Sequence, residues 1–210
     1  MSNIISKSFQ PKLTESEQLK VIEVSSELGI NPNWLLGVIY FETAKTFSPS
    51  KTNSIGSVGL IQFTRDKAGV GYKTINGKKY LLSEIGKMNF IQQMDLVHEY
   101  FKEIKKNTGK SLNSFMDVYF AVFFPKALNA SSSYVLQTSG LSASLIAKQN
   151  PIFDTNKDSK ITKSEIESYF SSYFTKNGFD FATEINQKKA LKWLLPLLVF
   201  FYSVVTISIC

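Results

Sequence analysis

One carboxylic acid, one amide and a set of glycines stand where work on a sugar could be done. Glu42 ends the apolar run Trp34-Leu35-Leu36-Gly37-Val38-Ile39-Tyr40-Phe41. Trp34, Leu35, Val38, Ile39 and Glu42 recur at three- and four-residue intervals, so they share one helical face. A carboxyl group on such a face is partly desolvated, which disfavours its charged form and raises its pKa. That suits a general acid protonating a leaving oxygen near neutral pH. Downstream lies Gly56-Ser57-Val58-Gly59-Leu60-Ile61-Gln62-Phe63. Gly56 and Gly59 permit a tight turn against a cleft. Leu60 and Ile61 anchor that turn, and Gln62 offers an amide that can donate to and accept from a sugar N-acetyl or hydroxyl group. Ser57, Phe63 and Phe47 complete the candidate substrate contacts. Flat apolar surface for a sugar ring is one expectation for Phe63, Phe47 and Tyr40; ordinary core packing is the other.

Glycosidases normally flank the scissile bond with two carboxylates. No second acid occupies a convincing position in the sequence. Asp66 lies four residues past Gln62, but Arg65 and Lys67 flank it, so a solvated ion pair is expected there.

These residues need a scaffold, and its start and stop signals are legible. Asn31-Pro32 caps and opens the helix that ends in Glu42. Thr14-Glu15-Ser16-Glu17 reads as a capping box for a helix closing near Gly29. Residues 43–80 are irregular, with a hairpin turn at Asn76-Gly77. Phe90, Met94, Val97, Phe101 and Ile104 form the stripe of an amphipathic helix closed by Gly109. An aromatic helix near 112–124 stops at Pro125, and a Ser/Ala-rich connection follows. The expectation is a mainly α fold of α+β type, a helical domain with a small irregular or β lobe. The expected divisions are 1–128, 129–150, 151–187 and 188–210.

A second constellation is of another kind. Asp154, Asn156, Asp158, Lys160, Thr162 and Glu165 have EF-hand spacing, with Ile161 at the apolar eighth position. Five side chains and the Lys160 carbonyl would supply the oxygens that a hard cation needs. The expectation is structural calcium, with no cofactor required for the chemistry. Ser159 stands at the sixth position, where glycine normally takes the sharp turn, and a Cβ there costs free energy. The competing expectation is an Asp/Asn-rich turn capping a helix at Thr162.

The 210 residues carry a net charge of +7, spread along the chain, which fits a polyanionic wall or anionic lipid better than nucleic acid. Cys210 is the sole cysteine and His98 the sole histidine, which excludes an intrachain disulfide and leaves little for a His-based triad. His98 is expected at the surface. Met1–Lys7 lacks the apolar core of a secretory signal. Residues 193–210 carry no charge, follow Lys188, Lys189 and Lys192, and as a helix would span about 27 Å. A membrane anchor is expected there, a helix packed in an assembly being the competitor. The lysines point to a cytoplasmic main domain, which conflicts with a substrate outside the membrane.

The ordered set Glu42-Thr43, Phe47-Ser48-Pro49 and Gly56-Ser57-Val58-Gly59-Leu60-Ile61-Gln62 resembles the lytic transglycosylases of the lysozyme superfamily. Their pattern is Glu-Ser, then aromatic-x-Pro, then Gly-Ala-x-Gly-Leu-Met-Gln. Thr43, Ser57 and Ile61 replace serine, alanine and methionine, and the interval from Glu42 to Gln62 is longer than usual. The likeness covers this short stretch, with weaker echoes as far as residue 127. It implies a lysozyme-like fold and cleavage of peptidoglycan strands at the MurNAc-GlcNAc bond. One glutamate would act as acid and then base, with help from the substrate's N-acetyl group, to leave a 1,6-anhydro end. It also implies a cleft tyrosine on the aromatic helix, for which Tyr119 is the candidate, although the usual Ala-Tyr-Asn is missing. The alternatives are a hydrolytic muramidase on this fold, or a non-catalytic wall-binding component of a phage or secretion apparatus.

Overall fold

A computed structural model describes residues 4–179. α1 (Glu15–Leu28) begins at a reciprocal cap: the Thr14 hydroxyl accepts the Glu17 N–H, and Glu17 reaches back to the Thr14 N–H at 2.8 Å. It stops at Gly29, whose φ of 67° few side-chain-bearing residues adopt. α2 (Pro32–Glu42) starts at Asn31, whose side chain accepts the Asn33 N–H. The structure departs here from the one-faced pattern: Leu36 and Tyr40 are buried as well as Leu35, Val38 and Ile39. α2 is a central helix covered on nearly all sides, which its uniformly apolar sequence permits.

The irregular region closes with β1 (Tyr72–Ile75) and β2 (Lys78–Leu81), an antiparallel pair with Tyr72 opposite Leu81 and Ile75 opposite Lys78. Asn76 and Gly77 both take positive φ, as a two-residue hairpin matched to strand twist requires. The short α3 (Leu82–Ile85) leads into α4 (Phe90–Thr108), which has an Asn89/Gln92 capping box and stops at Gly109. α5 (Phe115–Phe123) is capped by Ser114 and ends ahead of Pro125. The Ser/Ala-rich connection contains only α6 (Ala143–Gln149). α7 (Lys163–Lys176) starts at the Thr162/Glu165 capping box. The fold is mainly helical with one two-stranded sheet among the described residues.

α2 packs against α1 and α5, and α1 against α4. Fully buried Phe170 and Phe174 on α7 and Phe153 before it belong to the same core as Phe115 and Tyr119 on α5. Packing is therefore continuous across the expected divisions at 128 and 150. No helix of the described residues is long and apolar enough to cross a membrane. The anchor expected at 193–210 lies outside them.

Candidate functional site

Glu42 is the last residue of α2, and the turn behind it is tied by its neighbour. Fully buried Thr43 donates its hydroxyl to the Ile39 carbonyl at 2.7 Å and accepts the Phe47 N–H at 2.9 Å. Ala44, Lys45 and Phe47 adopt left-handed φ of 50°, 74° and 55°, so the chain reverses sharply away from the carboxyl. Solvent reaches part of Glu42, yet its carboxyl is deeply surrounded by protein, and this burial pushes its pKa up to about 8. No other charged group contributes to that shift. Among the described residues Glu42 takes no ion pair.

Two tyrosines feel its charge. Tyr119 on α5 is held well above the ordinary phenol range, by burial first, then by Glu42 and Tyr169. Tyr100 on α4 is raised by burial, then by Glu103 and Glu42. The Tyr100 hydroxyl donates to the Ala121 carbonyl at 2.9 Å, fixing α4 to α5 beside Glu42. Tyr119 is 1 % exposed, with its ring centroid 4.4 Å from that of Phe170 and 5.9 Å from that of Phe41. The site thus groups one acid with two phenols within reach of its charge, Tyr119 being packed among aromatic rings.

The glycine loop meets this pair at its far end, where Phe63 lies edge-on to Tyr100 at 6.2 Å between centroids. Gln62 is only partly buried and holds a left-handed φ of 51°. Its Nε2 donates to the carbonyls of Lys51 and Gly59, both at 3.0 Å, so the amide braces its own loop. Its Oε1 is buried without a hydrogen-bond partner, a costly condition for an acceptor. Ser57 is buried, with its hydroxyl 2.7 Å from that of Thr64. Phe47 and Phe63 are core residues, 4 % and 2 % exposed, and Phe47 packs on Phe9 and Tyr40. Ser57, Phe47 and Phe63 therefore face the interior here and present no surface to a sugar. Two surface cavities, of 340 and 510 Å³, lie elsewhere, against Glu27 and Lys105 and against Lys148 and Asp154.

Asp66 pairs with Lys73 at 3.3 Å, where Arg65 or Lys67 was expected, and accepts the Thr74 N–H at 3.0 Å. Partial burial would raise its pKa, but the bonds from Thr74 and Lys73 outweigh it and hold the carboxyl below its usual range. Asp66 is a brace for the hairpin and unsuited to donate a proton. The sole histidine, His98, is largely covered and contacts Glu27 at 3.0 Å, joining α4 to α1.

Sequence reasoning missed Tyr100 and Gln93. Both lie on the spacing of the α4 stripe, three residues past Val97 and Phe90 respectively, so polar groups on a core face were the available signal. Gln93 is fully buried, with every polar atom of its amide engaged. Its Nε2 donates to the Ile85 carbonyl at 2.7 Å and to that of Pro49, and its Oε1 accepts the Leu60 N–H at 2.9 Å.

In the 154–165 loop Lys157 and Ser159 take left-handed φ of 60° and 62°. Asp154 accepts the N–H groups of Asp158 and Ser159, both at 3.1 Å, and Asn156 accepts that of Asp158 at 2.9 Å. Asp158 accepts the Lys160 N–H at 2.9 Å. Glu165 closes the loop by accepting the Thr155 hydroxyl at 3.2 Å and the Thr162 N–H at 2.8 Å. Burial works against its charge, but these bonds hold its pKa below the usual carboxylate range. The oxygen donors are of the type a hard cation needs. Among the described residues, however, no three acidic side chains are gathered on one point. No protein family, curated protein or solved structure matches this chain.

Proposed function

We propose that the chain is a peptidoglycan lytic transglycosylase cleaving the MurNAc-GlcNAc bond, with Glu42 as sole catalytic acid and base. The observation that carries this reading is one carboxyl with a pKa of about 8, raised by burial alone. At neutral pH Glu42 is protonated, so it can hand a proton to the bridging oxygen as the glycosidic bond breaks. The resulting carboxylate then takes a proton from the 6-hydroxyl, whose oxygen closes on the anomeric carbon. A hydrolase would use a second carboxylate at the opposite face. The sequence offers no second acid in a convincing position, which favours the single-acid reaction over hydrolytic muramidase activity.

Calcium in the 154–165 loop belongs to the same proposal as a structural ion. Asp154, Asn156, Asp158, Thr162, Glu165 and the Lys160 carbonyl would hold it, and it supplies no step of the chemistry. The working place is the bacterial wall, with attachment to membrane through residues 193–210 and no nucleic-acid partner.

The deciding experiment incubates purified sacculi with the protein and with Glu42→Gln. Cleavage with anhydro ends, reduced about a thousandfold in the variant, is the expected result. Reducing ends in place of anhydro ends would establish the muramidase. Equal cleavage by the variant removes Glu42 from the chemistry. Wall binding without cleavage by either protein would establish a non-catalytic component of a larger apparatus.

A further inference from the structure

We infer that Gln93 is a positioning residue for the proposed cleavage, an amide clamp that sets the Pro49–Gln62 loop beside Glu42; the inference rests on the glycosidase reading. The side chain joins α4 to two points of the loop, 44 and 33 residues away, and to Ile85 just ahead of the helix. Its donors go to carbonyls on either side of the hairpin, at Pro49 and Ile85, and its acceptor takes the N–H of Leu60. All of this occurs in a site closed to water, where an amide losing its partners has nothing to replace them.

Gly59 is fitted to the same clamp. A Cβ at that position would stand 2.4 Å from Gln93 Oε1, and the residue's φ is 90°. The glycine therefore lets the loop backbone come close enough for Leu60 to bond Gln93. From there the geometry reaches the candidate binding amide: Gly59 offers its carbonyl to Gln62 Nε2, and Gln62 leads into Phe63 against Tyr100. The amide of Gln93 bonds Pro49, Leu60 and Ile85, and takes no part at the reacting bond. It governs where the loop stands and leaves the acid's proton affinity alone.

That division gives the inference its own signature. Releasing the loop weakens ground-state and transition-state binding together, which raises KM with little change in kcat. The alkaline limb set by Glu42 stays in place. The test uses the full chain carrying Gln93→Leu and Gln93→Asn, the latter keeping an amide one methylene shorter. Kinetics are measured on solubilised glycan strands, and hydrogen exchange is followed at the Leu60 amide. Expected are about a tenfold rise in KM for Gln93→Leu, a smaller rise for Gln93→Asn, an unmoved pH limb, and about tenfold faster Leu60 exchange. Should Gln93→Leu fail to fold, Gln93→Asn decides alone.

A wild-type protein that leaves glycan intact overturns the glycosidase reading, and the clamp is then judged on Leu60 exchange. Wild-type cleavage matched in KM and exchange by the variants overturns the clamp. So does a fall in kcat with a displaced limb, since Gln93 would then act through the acid's burial.

Discussion

At the scale of single residues, the proposed chemistry depends on how dry one side chain is. Among the described residues Glu42 differs from Asp66 and Glu165 in having burial as the sole cause of its shift, with no neighbouring charge involved. Its proton is therefore removed by hydroxide only near pH 8, and kcat/KM should fall as pH rises through that value. A limb near pH 4.5 would show the group to be hydrated and the acid role untenable. Stability carries the same sign. Between the ordinary glutamate value of 4.5 and about 8, the folded protein keeps a proton that the unfolded chain has released. Wild-type stability contributed by this group is thus full below 4.5 and declines as pH rises to 8. Glu42→Gln has no such slope, so its melting temperature should overtake the wild type's increasingly across that window and level off above it. Parallel curves from pH 4.5 to 8 would contradict the burial. A second residue-scale expectation concerns Gly59→Ala. The variant places a Cβ against Gln93 and an unfavourable φ on alanine, and should cost about 2–3 kcal/mol in denaturant unfolding.

At the scale of elements, α7 depends on one carboxylate with two demands on it. Glu165 completes the capping box of α7 and would also close the proposed calcium loop. Thr162→Ala removes the cap and should cost about 1 kcal/mol. Calcium at a hundredfold excess over its Kd should add about 2.7 kcal/mol to the wild type, and nothing to Asp154→Ala. Calorimetric unfolding with calcium and with chelator checks both, and a wild type indifferent to calcium would leave this loop a helix cap only. The elements also show why some of the molecule was legible from sequence and some was not. Asn31-Pro32, the Thr14/Glu17 box, Asn76-Gly77 and the glycines at 29 and 109 act on backbone within a few residues, so local patterns reveal them. Gln93 and Tyr100 act across 33 and 21 residues of chain, on Leu60 and Ala121. Nothing in their neighbourhood announces those partners. Phe47 and Phe63 were ambiguous for a related reason, because an aromatic residue suits a core as well as a sugar.

At the scale of the whole molecule, residues 153–177 pack against the two rings nearest the acid in chain and charge, Phe41 and Tyr119. Phe170 stands 4.8 Å from Phe41, the residue preceding Glu42, and 4.4 Å from Tyr119. Lys45 adds a bond to Asn177 at 3.2 Å and lies over the Tyr173 ring, so the turn after Glu42 is also tied to α7. Buried Lys163 donates to the carbonyls of Ala127 and Ala130, pinning the start of α7 to the turn that follows α5. A detachable module would leave the acid's surroundings intact when removed, whereas removing α7 would expose Phe115 and Tyr119 to water. Two consequences follow from the shared core. Residues 1–150 alone should show no cooperative melting transition. In the full chain, Phe170→Ala should cost about 3–5 kcal/mol, and by admitting water behind Glu42 it should move the alkaline limb of kcat/KM below pH 8. The direction of that movement is diagnostic. A merely destabilised enzyme loses amplitude at every pH alike, while a wetter acid releases its proton earlier. Cooperative folding and full activity of residues 1–150 would show that the aromatic contacts are incidental and that α2, α4 and α5 keep Glu42 dry by themselves.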